Sequence, residues 1–165
     1  MTDNSKVSGF LSRGGAWVVV QSILMTAVIV LGAIFHGDWT RLPMIVAGAV
    51  LFVAGGYIGI AGLNVLGRSR TPYPKPREGS ELVKRGIYAQ VRHPLYTSVM
   101  LASLGWSLVW QSSPAFIAAL VLIPFFHAKA RCEERWLREM FSGYADYERR
   151  VARFIPRFRR PPKPV

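Results

Sequence analysis

The sequence has one cysteine. Cys132 alone cannot build a disulfide framework or a thiolate metal site within one chain, and it lies in a charged segment where it has no evident role. The spacings of histidine, cysteine and carboxylates suggest no metal ligand set. No glycine-rich loop of the soluble Rossmann kind is present, which excludes that way of binding a nucleotide. Acidic residues are scarce: nine Asp and Glu stand against 21 Lys and Arg, a net charge of +12. Charge is missing altogether from residues 14–36, 42–67 and 93–128, apart from His36 at the end of the first stretch and two histidines in the third. Charge-free runs of that length are hard to bury in so small a soluble domain.

Apolar residues make up 51% of the chain, and mean hydropathy is +0.24. A bilayer core of about 30 Å takes roughly 20 helical residues. The first two stretches each suit one crossing. The third is interrupted by Gln111, Ser112, Ser113 and Pro114 and reads as two short spans joined by a tight turn. The first stretch is too long for a signal-peptide core and is closely followed by a second span. The expected fold is an all-α integral membrane protein with about four transmembrane helices, followed by a cytoplasmic C-terminal amphipathic helix. Residues 1–165 form a single membrane domain, with N-terminal spans at 14–36 and 42–67. With four spans, 20 of the 21 lysines and arginines fall on one side of the bilayer. The positive-inside rule then makes this a multi-pass protein with both termini in the cytoplasm.

Span one, roughly 16–35, is interrupted only by Gln21, Ser22 and Thr26. Span two, roughly 42–66, carries Gly55 and Gly59, a small-xxx-small pair that lets another helix approach closely. Prolines alternate at positions 72, 74 and 76, so that segment is extended rather than helical. Span three begins at His93-Pro94 and ends near Trp110. Span four begins at Pro114 and has few residues before Lys129. Lys129 and Arg131 can snorkel to lengthen it, or the 93–128 hairpin is partly re-entrant. Its helical phase continues through 130–141 as an amphipathic surface helix, with Glu133, Glu134, Arg135, Arg138 and Glu139 among Trp136, Leu137, Met140 and Phe141. The basic, proline-rich tail 157–165 suits anionic lipid at the cytoplasmic face, and nothing in the chain calls for nucleic acid.

Two polar clusters stand out. Arg92, His93 and Tyr96 gather where a helix starts, and helix N-termini offer free N–H groups and partial positive charge. Such a cluster can hold an anionic or polar cofactor, or anchor the chain at the interface. The second cluster is Lys129, Glu133 and Glu134, with Lys129 and Glu133 on one helix face. Alone it reads as a surface ion pair worth under about 1 kcal/mol.

Taken in order, these residues resemble a known set. Leu82-Val83, Gly86-Ile87-Tyr88, Arg92-His93-Pro94-Leu95-Tyr96, Glu133-Glu134 with Leu137, then Phe141, Tyr144, Tyr147, Val151, Arg153 and Ile155-Pro156 resemble the isoprenylcysteine carboxyl methyltransferase and phospholipid N-methyltransferase superfamily. The resemblance covers 82–156, and makes 68–156 the methyltransferase-like catalytic region. It implies methyl transfer from S-adenosylmethionine to a lipophilic acceptor: a prenylcysteine carboxylate, a phospholipid amine or a small thiol. By motif, Glu81, Leu82, Val83, Tyr88, His93, Pro94, Leu95, Tyr96 and Glu133 would bind the cofactor. His93 and Glu134 would assist proton loss from the acceptor. Lys129 and Arg92 would bind substrate. Lys129 stands where the prenylcysteine enzymes have an arginine, which replaces a bidentate fork by a point charge. Ser98 stands where the family's motif has glycine, putting close backbone packing there in question. Two rivals follow from the same residues: an NADPH-dependent membrane reductase of related architecture, and a non-enzymatic membrane scaffold acting through its basic tail.

Overall fold

The computed structural model describes residues 10, 13–37, 39, 41–67, 71, 73–75 and 79–156. The basic tail 157–165, Pro72 and Pro76 of the proline run, and Lys6, Arg68, Arg70 and Arg77 lie outside these residues. The described part is helical: α1 (Gly15–Ile34), α2 (Leu42–Leu66), a 3₁₀ turn (Gly86–Ala89), α3 (Pro94–Val109), α4 (Ser113–Met140) and α5 (Tyr144–Arg150). Helices α1, α2 and α4 are long and apolar enough to cross a membrane, and α3 is a shorter apolar helix. At 16 residues α3 measures about 24 Å. The protein is an all-α membrane protein.

Local chemistry sets the helix limits. Pro94 and Pro114 sit in the first turns of α3 and α4, where a missing N–H costs nothing. Ser112 caps α4 by accepting from the backbone N–H of Ala115, at 3.3 Å. Helix α4 runs through Pro124, giving up one internal hydrogen bond, and continues without a break to Met140. The amphipathic segment 130–141 is therefore the second half of α4 up to Met140. Ala115, Ala119, Leu122, Phe126, Ala130 and Glu134 are all buried and follow one helical stripe. Glu134 belongs to that inward stripe rather than to a surface. Lys129 also points inward, where the expectation was snorkelling. Its ammonium donates to Oε1 of Gln21 on α1 at 2.5 Å and lies 5.2 Å from the Tyr96 ring centroid.

Helices α2 and α3 pack most closely. Cβ atoms at Gly48 and Gly55 would each stand 2.8 Å from α3 backbone. Ser98 does not disturb this contact. Its hydroxyl donates to the Gly55 carbonyl at 2.7 Å and occupies the space left by Gly59. At one end of the bundle Trp39 Nε1 donates to Ser113 Oγ at 2.9 Å, and the Arg41 N–H donates to Gln111 Oε1 at 3.0 Å. At the other end the chain leaving α5 returns beside residues 91–93. The N–H groups of Arg92 and His93 donate to the carbonyls of Ala152 and Arg153, at 2.9 and 3.0 Å. This return places 151–154 against the start of α3 and the second half of α4.

Candidate active site

Glu134 is the centre of a buried polar cluster. Its side chain is fully buried, and both oxygens are taken. Oε1 accepts from Arg92 Nη2 at 2.8 Å and from Arg153 Nε at 2.9 Å, and Oε2 accepts from Arg153 Nη2 at 2.5 Å. His93 Nε2 lies 3.1 Å from Oε1. A carboxylate between two guanidiniums is ionised and only accepts, so Nε2 carries the proton and donates. Arg92 is fixed further: Nη1 donates to the carbonyls of Glu148 and Val151, at 2.7 and 3.2 Å. Glu148 also receives a two-bonded fork from Arg138, at 2.8 and 2.9 Å, which holds its carboxyl below the usual range.

The opposite edge of His93 faces a different carboxylate. Nδ1 stands 3.6 Å from Glu133 Oε2, and that oxygen accepts from the Tyr96 hydroxyl at 2.6 Å. The rings of His93 and Tyr96 stack with centroids 5.2 Å apart and planes 2° apart, and Tyr96 stacks in turn on Phe126 at 4.9 Å. One helical turn of α3 thus presents a rigid pair of rings, backed by α4. Tyr88 is set by the 3₁₀ turn, where its carbonyl accepts from the Tyr147 hydroxyl at 2.6 Å. Burial pushes the Tyr147 hydroxyl up to about 12, and Tyr88 and Tyr144 upward as well. All three phenols stay protonated over the physiological range.

These groups border a cavity of about 120 Å³ that opens to solvent. Glu81, Leu82, Val83, Tyr88, Arg92, His93, Leu95, Tyr96 and Glu133 all line it. Pro94 does not; it is buried at the start of α3 with its ring toward Gly62. Glu134 lies behind His93, and Lys129 lies behind Tyr96 toward α1. Arg92 borders the cavity while its guanidinium is engaged with Glu134 and two carbonyls. Sequence reasoning assigned no role to Thr71, Pro74, Tyr144 or Tyr147, which also line the cavity, together with Leu66, Ser80, Leu137 and Phe141. It also gave none to Arg153, the bidentate partner of Glu134. Arg153 and both tyrosines stood among the ordered residues of the motif set, so their positions carried a signal. Among the described residues there is no group of three or more His, Cys, Asp or Glu able to hold a metal ion.

Residues 43–143 match the phospholipid methyltransferase family. The chain is 31% identical over 156 residues to the nickel-cobalt-cadmium resistance protein NccN of Alcaligenes xylosoxydans xylosoxydans, covering 93% of this chain and 70% of that one. It is 29% identical over 155 residues to the cobalt-zinc-cadmium resistance protein CzcN of Cupriavidus metallidurans, covering 92% of this chain and 68% of that one. It is 31% identical over 115 residues to the protein-S-isoprenylcysteine O-methyltransferase of Saccharomyces cerevisiae, covering 67% of this chain and 48% of that one. By its motifs and these matches the chain belongs to the phospholipid methyltransferase family, within the superfamily that includes the isoprenylcysteine O-methyltransferases.

Proposed function

We propose that the protein transfers a methyl group from S-adenosylmethionine to a lipophilic or membrane-associated acceptor. The observation that carries this reading is the meeting of Glu133, His93, Tyr96 and Tyr88 on one cavity wall. Glu133 is partly exposed, with its oxygen held by the Tyr96 hydroxyl and facing His93 Nδ1. An ammonium group placed there would satisfy the carboxylate. The face of Tyr88 suits a sulfonium or a purine. The cavity therefore fits the donor's charged and aromatic parts, with Glu81, Leu82, Val83 and Leu95 closing around it. When bound, S-adenosylmethionine supplies a methyl group activated by a positive sulfur.

The residues divide the remaining work. Arg153 and Arg92 hold Glu134, and Glu134 holds the proton on His93 Nε2, so that Nδ1 faces the cavity. Nδ1 is the atom that takes a proton from a thiol or amine acceptor, while a carboxylate acceptor needs no base. On this reading Glu134 and Arg92 position His93 and touch neither reactant. Aligning the reactants and excluding water account for the rest of the catalysis. A separate apolar groove of about 390 Å³ runs between Met100 and Leu101 of α3 and Ile123 and His127 of α4, rimmed by Phe154 and Ile155. It supports sideways access of a hydrocarbon chain from the bilayer, with the donor arriving from the cytoplasmic side and both termini on that side. The acceptor is a prenylcysteine carboxylate, a phospholipid amine or a small thiol; the metal-resistance names of two relatives identify no reaction.

The test is calorimetric titration of detergent-purified protein with S-adenosylhomocysteine. Wild type binds it, and Glu133→Gln weakens binding by about tenfold or more, the loss of one charge-assisted contact. Absence of binding by folded wild type, or binding of NADPH in its place, overturns the reading.

A further inference from the structure

The roof of the cavity is held from a part of the chain that the active-site motifs do not reach. Thr71 and Pro74 line the cavity from the segment between α2 and the 3₁₀ turn. Pro74 is fully buried, although it sits in a polar stretch between Tyr73 and the exposed Lys75. It is buried because its ring lies against Gly14. A Cβ on Gly14 would stand 3.0 Å from Pro74 Cδ, 3.2 Å from Pro74 Cγ and 3.3 Å from Trp136 Cη2. Gly14 is also in the left-handed region, with φ 83° and ψ 33°, at the residue that starts α1. Two independent demands thus fall on this position: a conformation that L side chains avoid, and a gap so tight that an added Cβ makes Pro74 or Trp136 give by a few tenths of an ångström. The next ring is held from the same place. Arg13 lies over Tyr73, 5.0 Å from its centroid, and Phe10 meets it edge-on at 5.9 Å. The head of α1 and Trp136 of α4 therefore form a socket for Tyr73 and Pro74.

We propose that Gly14 is a positioning residue for the cofactor site: it seats Pro74 between α1 and Trp136, and so sets the roof over the ligand. This rests on the cavity being the donor site. Gly14 itself touches no reactant and acts only through Pro74. Side chains larger than hydrogen displace Pro74 by a few tenths of an ångström or more and so shift the wall it gives to the cavity.

The experiment is titration of S-adenosylhomocysteine into wild type, Gly14→Ala, Gly14→Val, Pro74→Ala and the double variant Gly14→Ala/Pro74→Ala, with ligand-free melting measured in parallel. Gly14→Val weakens binding by about tenfold and Gly14→Ala by less. In the double variant the proline ring is gone, so the added methyl meets only Trp136. Adding Gly14→Ala then costs less affinity than it does in wild type, while the loss of melting temperature from left-handed strain persists. A purely structural glycine predicts the reverse, with melting lowered and affinity unchanged. Wild-type binding together with unaltered affinity in both Gly14 variants overturns the proposal alone. Equal affinity losses from Gly14→Ala with and without Pro74 do the same. No binding by folded wild type overturns the donor reading and the proposal with it. Should Gly14→Val fail to fold, the Ala pair alone decides.

Discussion

Removing the Glu134 carboxylate puts a number on the buried cluster. In Glu134→Ala, Arg92 loses its 2.8 Å partner while its side chain is only 7% exposed. It keeps the carbonyls of Glu148 and Val151, which are fixed and neutral, and a looser 3.5 Å ion pair with Glu148 Oε1, a carboxylate already shared with Arg138. Arg153 loses a bidentate partner as well, yet at 25% exposure it can turn toward water. The cost is therefore dominated by Arg92, and stripping one member from a buried pair costs about 3–5 kcal/mol. For a chain of this length that lowers the melting temperature by about 6–20 °C. Intrinsic tryptophan fluorescence in mild detergent reads the transition. Arg92→Met added to Glu134→Ala then restores stability more fully than Arg153→Met does, because it removes the more deeply buried of the two cations. A melting temperature for Glu134→Ala within about 2 °C of wild type would refute the reasoning. So would equal rescue by the two methionines.

Two further substitutions separate packing from chemistry. Gly55→Val drives a Cβ to 2.8 Å from the α3 backbone and costs about 1–3 kcal/mol, whereas Gly56→Val, with nothing within 4 Å, costs far less; paired melting curves check the difference. Lys129→Met keeps the side-chain length and removes a buried ammonium, so melting stays near wild type or rises. Its S-adenosylhomocysteine affinity stays within about twofold of wild type, since Lys129 lies outside the cavity. A loss as large as that of Glu133→Gln would move Lys129 into the donor site.

The helices were readable because their signals are local. Charge-free stretches with flanking Pro94 and Pro114 mark where α3 and α4 begin, and Gly55 marks the face on which α2 meets α3. The contiguous half of the site was readable for the same reason: His93 is the N-cap residue of α3, and Leu95 and Tyr96 lie in its first turn. Glu134 is a harder case, and part of its signal was present. Counting from Ala115 through Leu122, Phe126 and Ala130 at helical spacing lands on Glu134, a carboxylate on a stripe that is otherwise buried. A charge in that position requires cationic partners, which already argues against a free general base. Which cations supply it is not a local question. Arg135, Arg138, Arg149, Arg150 and Arg153 all lie within reach along the chain. The choice is made by two backbone hydrogen bonds, from Arg92 and His93 to Ala152 and Arg153, that fold the segment after α5 back beside α3. Pro74 was hidden in the same way. A proline between a tyrosine and a lysine reads as solvent-exposed, and only the Gly14 gap about 60 positions earlier along the chain makes it part of a cavity roof.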